Sequence, residues 1–160
     1  MIRPVNLNDA DQITAIYNHY VATSTVTFEE ELVSVADFKQ RITEICAKYP
    51  YLVYEENGQI LGYAYAGVFR TRVAYRFSAE ASVYVHNNHF KKGVGSQLYA
   101  ALLPEMKKMG LKSAIGGITL PNEASVKLHE QFGFVKVAHF KNVGYKFDTW
   151  LDVGFWQLEF

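Results

Sequence analysis

The sequence predicts an α/β fold, a mixed and mostly antiparallel central sheet of about seven strands flanked by about four helices. Three observations carry that expectation. Apolar spacing alternates between the strand and the helix period in the order β, α, α, β, β, β, α, β, α, β, β. Asn57 and Gly58 separate two apolar runs at the spacing of a tight hairpin. A later strand-like run passes through glycines into a helix and on to another strand, which implies one βαβ crossover in the second half.

After Asn8, the residues Ile13, Ile16, Tyr17, Tyr20 and Val21 share one face of an amphipathic helix, with Asn8 and Asp11 as its expected cap. A second helix begins after Ser34, whose hydroxyl and Asp37 form a capping-box-like pair. It runs to about Tyr49 on Phe38, Ile42, Ile45 and Cys46, and Pro50 stops it. "YLVYE" and "ILGYAYAGV" are the hairpin strands, and Asn-Gly supplies the positive backbone angles between them. A strand of about Phe77 to Val85 leads into "HNNHFKKGVGSQL", and the helix that follows carries Val94, Leu98, Leu102 and Met106. Pro104 removes a backbone hydrogen bond from that helix, which predicts a kink or a shorter helix than the periodicity. "SAIGGIT" is the next strand. Asn122 caps a short helix through Val126, His129 and Phe132, closed by Gly133, and strands of about Phe134 to Tyr145 and Leu151 to Glu159 follow.

A chain of 160 residues suits one domain, 1–160, because a core of this size buries roughly 70% of the unfolded surface. Sixteen basic and 16 acidic residues balance, so a nucleic-acid-seeking surface is not indicated, and 49% apolar content argues against disorder. The expected partner is a small molecule. A single cysteine, Cys46, excludes an internal disulfide and a multi-thiolate metal site, fits a reducing compartment, and reads as core. No apolar run reaches about 18 residues and "MIRPVNLNDADQ" lacks the apolar centre of a signal peptide, so a cytoplasmic protein away from membranes is expected. His86 and His89 form an HxxH pair without a third nearby ligand, so no metal is expected.

The glycine junction offers successive N–H groups at a helix start, a concave site for anions such as a pyrophosphate. Gly93 and Gly95 permit the turn, Lys91 and Lys92 add positive charge, and Ser96 adds a hydroxyl. A P-loop needs GxxxxGK and a Ser or Thr, which is missing. A dinucleotide fingerprint needs a third glycine where Leu98 stands and an acidic residue where Ser113, Ala114 and Ile115 stand.

"KKGVGS" between strand and helix, followed one strand later by "NEASVKLHEQFGF", resembles the acetyl-coenzyme A loop and the next segment of the GNAT superfamily of N-acetyltransferases. The family loop begins with Gln or Arg, and here Phe90 stands there; the amide cradle itself is backbone chemistry. "AIYNHYVATSTVTF", "AYRFSAEASVYV", "LPNEASVKLHEQFGF" and "VGYKFDTWLDVGFWQLEF" extend the resemblance over nearly the whole chain, to phosphinothricin and methionine sulfoximine acetyltransferases. The resemblance implies a GNAT fold, acetyl-coenzyme A as co-substrate, a homodimer, and acetylation of the α-amino group of a small amino acid bearing a tetrahedral phosphorus or sulfur group. Phosphinothricin, methionine sulfoximine and methionine sulfone are such acceptors.

By the same resemblance, the pantetheine arm pairs with the strand end at Val83, Tyr84 and Val85, and the pyrophosphate lies on the amides of Lys91, Lys92, Gly93, Val94, Gly95 and Ser96. Asn122 and Gln131 match further coenzyme contacts. Arg72, Val73, Ala74 and Tyr75 match the acceptor-pocket lining, Phe28 an aromatic wall, and Glu80 and His129 the positions with chemical roles. Tyr65 falls near the same pocket.

The chemistry asks for such groups. An amine attacks a thioester only when unprotonated, so a base must take a proton, and Glu80 is the candidate; an exposed strand carboxylate is its plain alternative. The developing oxyanion needs an N–H donor, for which an amide near Val85 serves, and His129 can attend the oxyanion or the leaving thiolate. A helix-face histidine packed against Phe132 is its plain alternative. Arg72 can fork onto a carboxylate, with Arg70 and Arg76 in reserve. Phe28, Tyr65, Phe69 and Tyr75 suggest a closed, small pocket. A peptide or protein N-acetyltransferase and a non-catalytic acyl-coenzyme A-binding module remain the alternatives. Trp150, Phe155, Trp156 and Phe160 can bury a dimer interface or pack within the domain.

Overall fold

The computed structural model describes residues 1–90 and 93–160. Its main elements are β1 (Ile2–Pro4), α1 (Ala10–Thr23), α2 (Val35–Cys46), β2 (Tyr51–Glu56), β3 (Gln59–Val68), β4 (Ser78–Val85), α3 (Val94–Lys108), β5 (Ser113–Leu120), α4 (Glu123–Gln131), β6 (Val135–Lys146) and β7 (Thr149–Glu159). Among the described residues the strands form one seven-stranded sheet in the order β1-β2-β3-β4-β5-β7-β6. Every neighbouring pair is antiparallel except β4 and β5, which α3 joins as a parallel crossover. No described helix is long and apolar enough to cross a membrane.

Local chemistry sets most boundaries. Asn57 and Gly58 turn the β2–β3 hairpin at φ 51° and 79°. Ser34 accepts the Asp37 N–H at 3.1 Å, Asn122 accepts the Ser125 N–H at 3.1 Å, and Gly133 leaves α4 at φ 86°. The alternation of β2 and β3 sends Tyr51, Val53 and Tyr63 against α1 and α2, and Ala64 and Ala66 with Ala79 and Ala81 of β4 against α3. Leu98, Tyr99, Leu102 and Met106 close the second layer, and Trp156 of β7 is buried with them.

Four expectations change. The N-terminal cap lies two residues earlier than Asn8 and Asp11: Asn6 accepts the Asn8 N–H at 2.9 Å, and Asp9 accepts the Asn6 N–H at 2.7 Å. Arg3 of β1, six residues before Asp9, forks onto its carboxylate at 2.8 and 2.9 Å. The second helix ends at Cys46 rather than near Tyr49, as the N–H groups of Lys48 and Tyr49 both turn to the Ile45 carbonyl before Pro50. Cys46 is exposed, not core, since the stripe packed on the sheet ends with Ile45. Finally, α3 is not shortened at Pro104. Pro104 and Ala100 are both exposed, so the Ala100 carbonyl that loses its partner lies on the solvent side of the helix, while buried Leu102, Leu103 and Met106 hold the helix to Lys108.

Candidate active site

The site begins where the sheet comes apart. β4 and β5 pair only from Ser78 to Glu80 opposite Ser113 to Ile115, and then diverge. On the far side of that split the Ala81 carbonyl accepts the Tyr99 hydroxyl at 3.1 Å, and the Val85 carbonyl accepts the Tyr20 hydroxyl. The two-residue period of a strand makes Val83 present its N–H and C=O to this same open edge, beyond the reach of β5 pairing.

His129 of α4 is the wedge in the split. It is 4% exposed and lies on Gly116 of β5, where a Cβ would overlap the ring. Its Nδ1 is 2.7 Å from the Ser125 carbonyl, which can only accept, so Nδ1 carries the proton. Nε2 stands 3.0 Å from the Tyr99 hydroxyl. Tyr99 has one proton to give: it goes to Nε2 when the imidazole is neutral, and to Ala81 when Nε2 carries its own. Burial pushes the His129 pKa down and so favours the neutral ring, with the Ser125 carbonyl opposing. The ring meets Tyr99 and Phe134 at centroid distances of 5.2 and 5.0 Å, where the plain alternative had it against Phe132.

Two cavities meet in the split. The larger, about 480 Å³, is lined by the predicted Val83, Tyr84, Val85, Gly93, Gly95, Ser96 and Asn122. Phe90 joins them and meets Tyr20 edge-on. Gly93 opens α3 at φ 69°, a conformation that glycine adopts freely and that aims the first amides of the helix at the cavity. Val94 is buried beneath the turn, and Gln131 is exposed at the end of α4 and lines neither cavity. Lys91 and Lys92 lie outside the described residues.

The smaller cavity, about 100 Å³, brings Glu80 together with Ser82, Tyr84, Tyr99, Gly117 and His129. Glu80 is half-buried, and burial raises its pKa, with Arg70 opposing. Arg70, held in reserve by the sequence reading, is thus the arginine whose charge reaches Glu80, and its guanidinium lies 5.0 Å from the Phe69 ring centre and 6.0 Å from that of Tyr75. Arg72, Val73, Ala74 and Tyr75 form one exposed turn that lines neither cavity. Tyr65 is half-buried and stacked on Tyr51; burial raises its pKa, Ser82 opposes, and the Glu80 charge adds to the rise. Phe28 packs over Gly144 and is 43% exposed, and Tyr75 is 39% exposed, so the aromatic residues do not close the pocket as expected. Sequence reasoning missed Tyr20, Val26, Leu128, Ser125 and the Tyr99 hydroxyl. Tyr20, Leu128 and Tyr99 sit in helical apolar patterns that read as core. Val26, which lines both cavities, had no periodic signal at all.

The family model of the acetyltransferase (GNAT) domain matches residues 2–154. The chain belongs to the GNAT acetyltransferases. It is 41% identical over 159 residues to the phosphinothricin N-acetyltransferase of Streptomyces viridochromogenes, covering 99% of this chain and 87% of that protein. Against the L-methionine sulfoximine/L-methionine sulfone acetyltransferase of Salmonella typhimurium the identity is 38% over 162 residues, covering 99% and 93%. The crystal structure of a GNAT superfamily phosphinothricin acetyltransferase from Sinorhizobium meliloti, in complex with acetyl-coenzyme A, superposes with a TM-score of 0.96 at 35% identity, covering 99% and 87%. GNAT acetyltransferases take their acetyl group from acetyl-coenzyme A. The larger cavity suits that donor: its open strand edge offers amide pairing, its helix start offers N–H groups for phosphates, and Val83, Val85 and Leu128 form an apolar wall. Among the described residues no cluster of three His, Cys, Asp or Glu side chains is arranged to hold a metal ion.

Proposed function

We propose that residues 1–160 work as one N-acetyltransferase domain that acetylates the α-amino group of a small amino acid such as phosphinothricin, methionine sulfoximine or methionine sulfone. The carrying observation is that Glu80, Tyr99 and His129 share one small cavity opening beside the coenzyme cleft. The relatives' names supply the acceptor class.

In this reading the amine attacks the thioester directly within a ternary complex. Cys46, exposed at the end of α2, is no acyl carrier. Glu80 takes a proton from the amine as the C–N bond forms, and its raised pKa makes it a better base than a solvated carboxylate. A β4 amide near Val83 or Val85 serves the oxyanion. As the C–S bond breaks, the Tyr99 hydroxyl turns its proton from His129 toward the negative sulfur; the sulfur then takes a proton from water, and the hydroxide left behind takes the one held by Glu80.

A peptide acceptor is the competing reading, favoured by the exposure of Phe28 and Tyr75 around the acceptor end. The deciding experiment is thiol release from acetyl-coenzyme A with a panel of phosphinothricin, methionine sulfoximine, methionine sulfone, common amino acids and a generic peptide. Turnover confined to the first three supports the proposal. Turnover on the peptide alone replaces it, and coenzyme binding without any turnover favours a non-catalytic module.

The proposal includes a cytoplasmic homodimer. Its support is the outer strand β6 with its hairpin partner, where Val135 is 66% and Trp150 64% exposed, and Val137, Val143 and Tyr145 are exposed with them. An apolar sheet edge of this kind needs covering. Trp150→Glu should shift the sedimenting species from dimer to monomer; a wild type already monomeric at micromolar concentration rejects the dimer.

A further inference from the structure

Lys146 is a charged residue on β6 with 1% of its surface exposed. Its ammonium donates to the Ser24 carbonyl at 2.8 Å and the Thr27 carbonyl at 2.9 Å, and lies 5.0 Å from the Phe147 ring centre. Glu29 and Glu30 act on it electrostatically without an ion pair among the described residues. Two positions earlier, on the same face of β6, Gly144 receives the Phe28 ring so closely that a Cβ would overlap it. Both contacts therefore fall on the segment 24–28 between α1 and α2.

That segment matters to the site through Val26, which lines both cavities. Its other ties run to α1 and α2: Thr27 and Tyr17 share a hydrogen bond of 2.8 Å, and Glu29 pairs with Arg41 at 2.6 Å. Neither tie reaches the outer edge of the sheet. A buried ammonium satisfied by main-chain carbonyls is expensive to desolvate, and what it achieves here is to fix a loop backbone from across the sheet.

We propose that Lys146 is a positioning residue for the acceptor, holding segment 24–28 against β6 together with Gly144 and so setting the width of the acceptor end of the site. The role rests on the small-acceptor reading above. It makes β6, remote from the coenzyme cradle in sheet order, the strand that determines which acceptors fit.

Two variants of the full chain test this by unrelated routes. Lys146→Met keeps length and apolar fill while removing the donors, and Gly144→Ala displaces Phe28 without touching a charge. In each, acceptor KM should rise on the order of tenfold, with acetyl-coenzyme A KM changed less than about twofold, because a small misplacement acts on the group it orients. Amide hydrogen exchange at 24–29, measured without substrates, should quicken in both. A KM increase shared equally by the two substrates, or unchanged exchange in both variants, overturns the proposal. A wild type inactive on every amino acid would discard the acceptor assignment alone, since exchange reads the anchoring independently of turnover.

Discussion

As the proposed base, Glu80 would trade stability for reactivity. Burial holds its pKa above the usual carboxylate range, so the folded protein binds a proton at this site more tightly than the unfolded chain does. Stability contributed by that difference is present at low pH, declines as pH rises from the unfolded value of about 4.3 through the folded pKa, and becomes a constant penalty above it. Glu80→Gln should therefore melt at a higher temperature than wild type at pH 7, with the gap closing below pH ~4. The same variant should lose at least about a hundredfold in turnover while coenzyme affinity holds, and the acid limb of the wild-type pH profile should disappear. A melting temperature that falls together with activity would make Glu80 a structural residue. His129 points the other way. Burial lowers its pKa and favours the neutral imidazole, whereas at Glu80 burial raises the pKa and favours the protonated acid.

Between elements, one ion cluster joins β1 to α1. Arg3 bonds Asp9 at 2.8 Å and Glu55 of β2 at 2.6 Å, and Asp9 in turn closes the cap on Asn6. The Arg3 guanidinium holds the Asp9 carboxyl below its ordinary range, against burial, with the Asn6 N–H helping. A depressed carboxylate contributes stability above its unfolded pKa of about 3.9 and loses it as pH falls through the folded value. Arg3→Met should cost about 2 kcal/mol in urea unfolding at pH 7, and the difference from wild type should shrink below pH ~4. A constant difference across that range would assign the loss to packing instead. The cluster also explains what the letters conceal. Caps and turns closed by residues within three positions, Ser34 with Asp37, Asn57 with Gly58, Asn122 with Ser125, could be read directly; Asn6 with Asp9 has the same spacing but competes in the letters with Asn8 and Asp11, and only the fold brings Arg3 onto Asp9. The proposed coenzyme cleft is mostly backbone placed by one glycine-bearing turn, so Val83, Tyr84, Val85, Gly93, Gly95 and Ser96, which line it, could be read as a motif. Lys146 and Val26 were not, since a lysine on an edge strand and a valine in an irregular loop acquire meaning only from each other's neighbourhood. Cys46 misled because its spacing is apolar while its helix turns it outward.

Taken together, the fold surrounds an interruption. β4 and β5 are central strands, yet their ladder stops after Glu80, and the edge from Ala81 to Val85 faces a cleft instead of a neighbour. In the proposed mode, acetyl-coenzyme A binds along that edge and would stabilise the folded state by mass action, about 2.7 kcal/mol at a concentration a hundredfold above its Kd. Thermolysin digestion should slow accordingly when the donor is added, and acceptor alone should give little protection; equal protection by the acceptor would mean the cleft is not the weak point. An open ladder at the centre of a sheet is also a template for stray strands. If digestion slows as expected, the persistence of this enzyme in a starved cell would be tied to the acetyl donor it consumes: with a depleted donor pool, the catalyst would become more perishable along with its reaction.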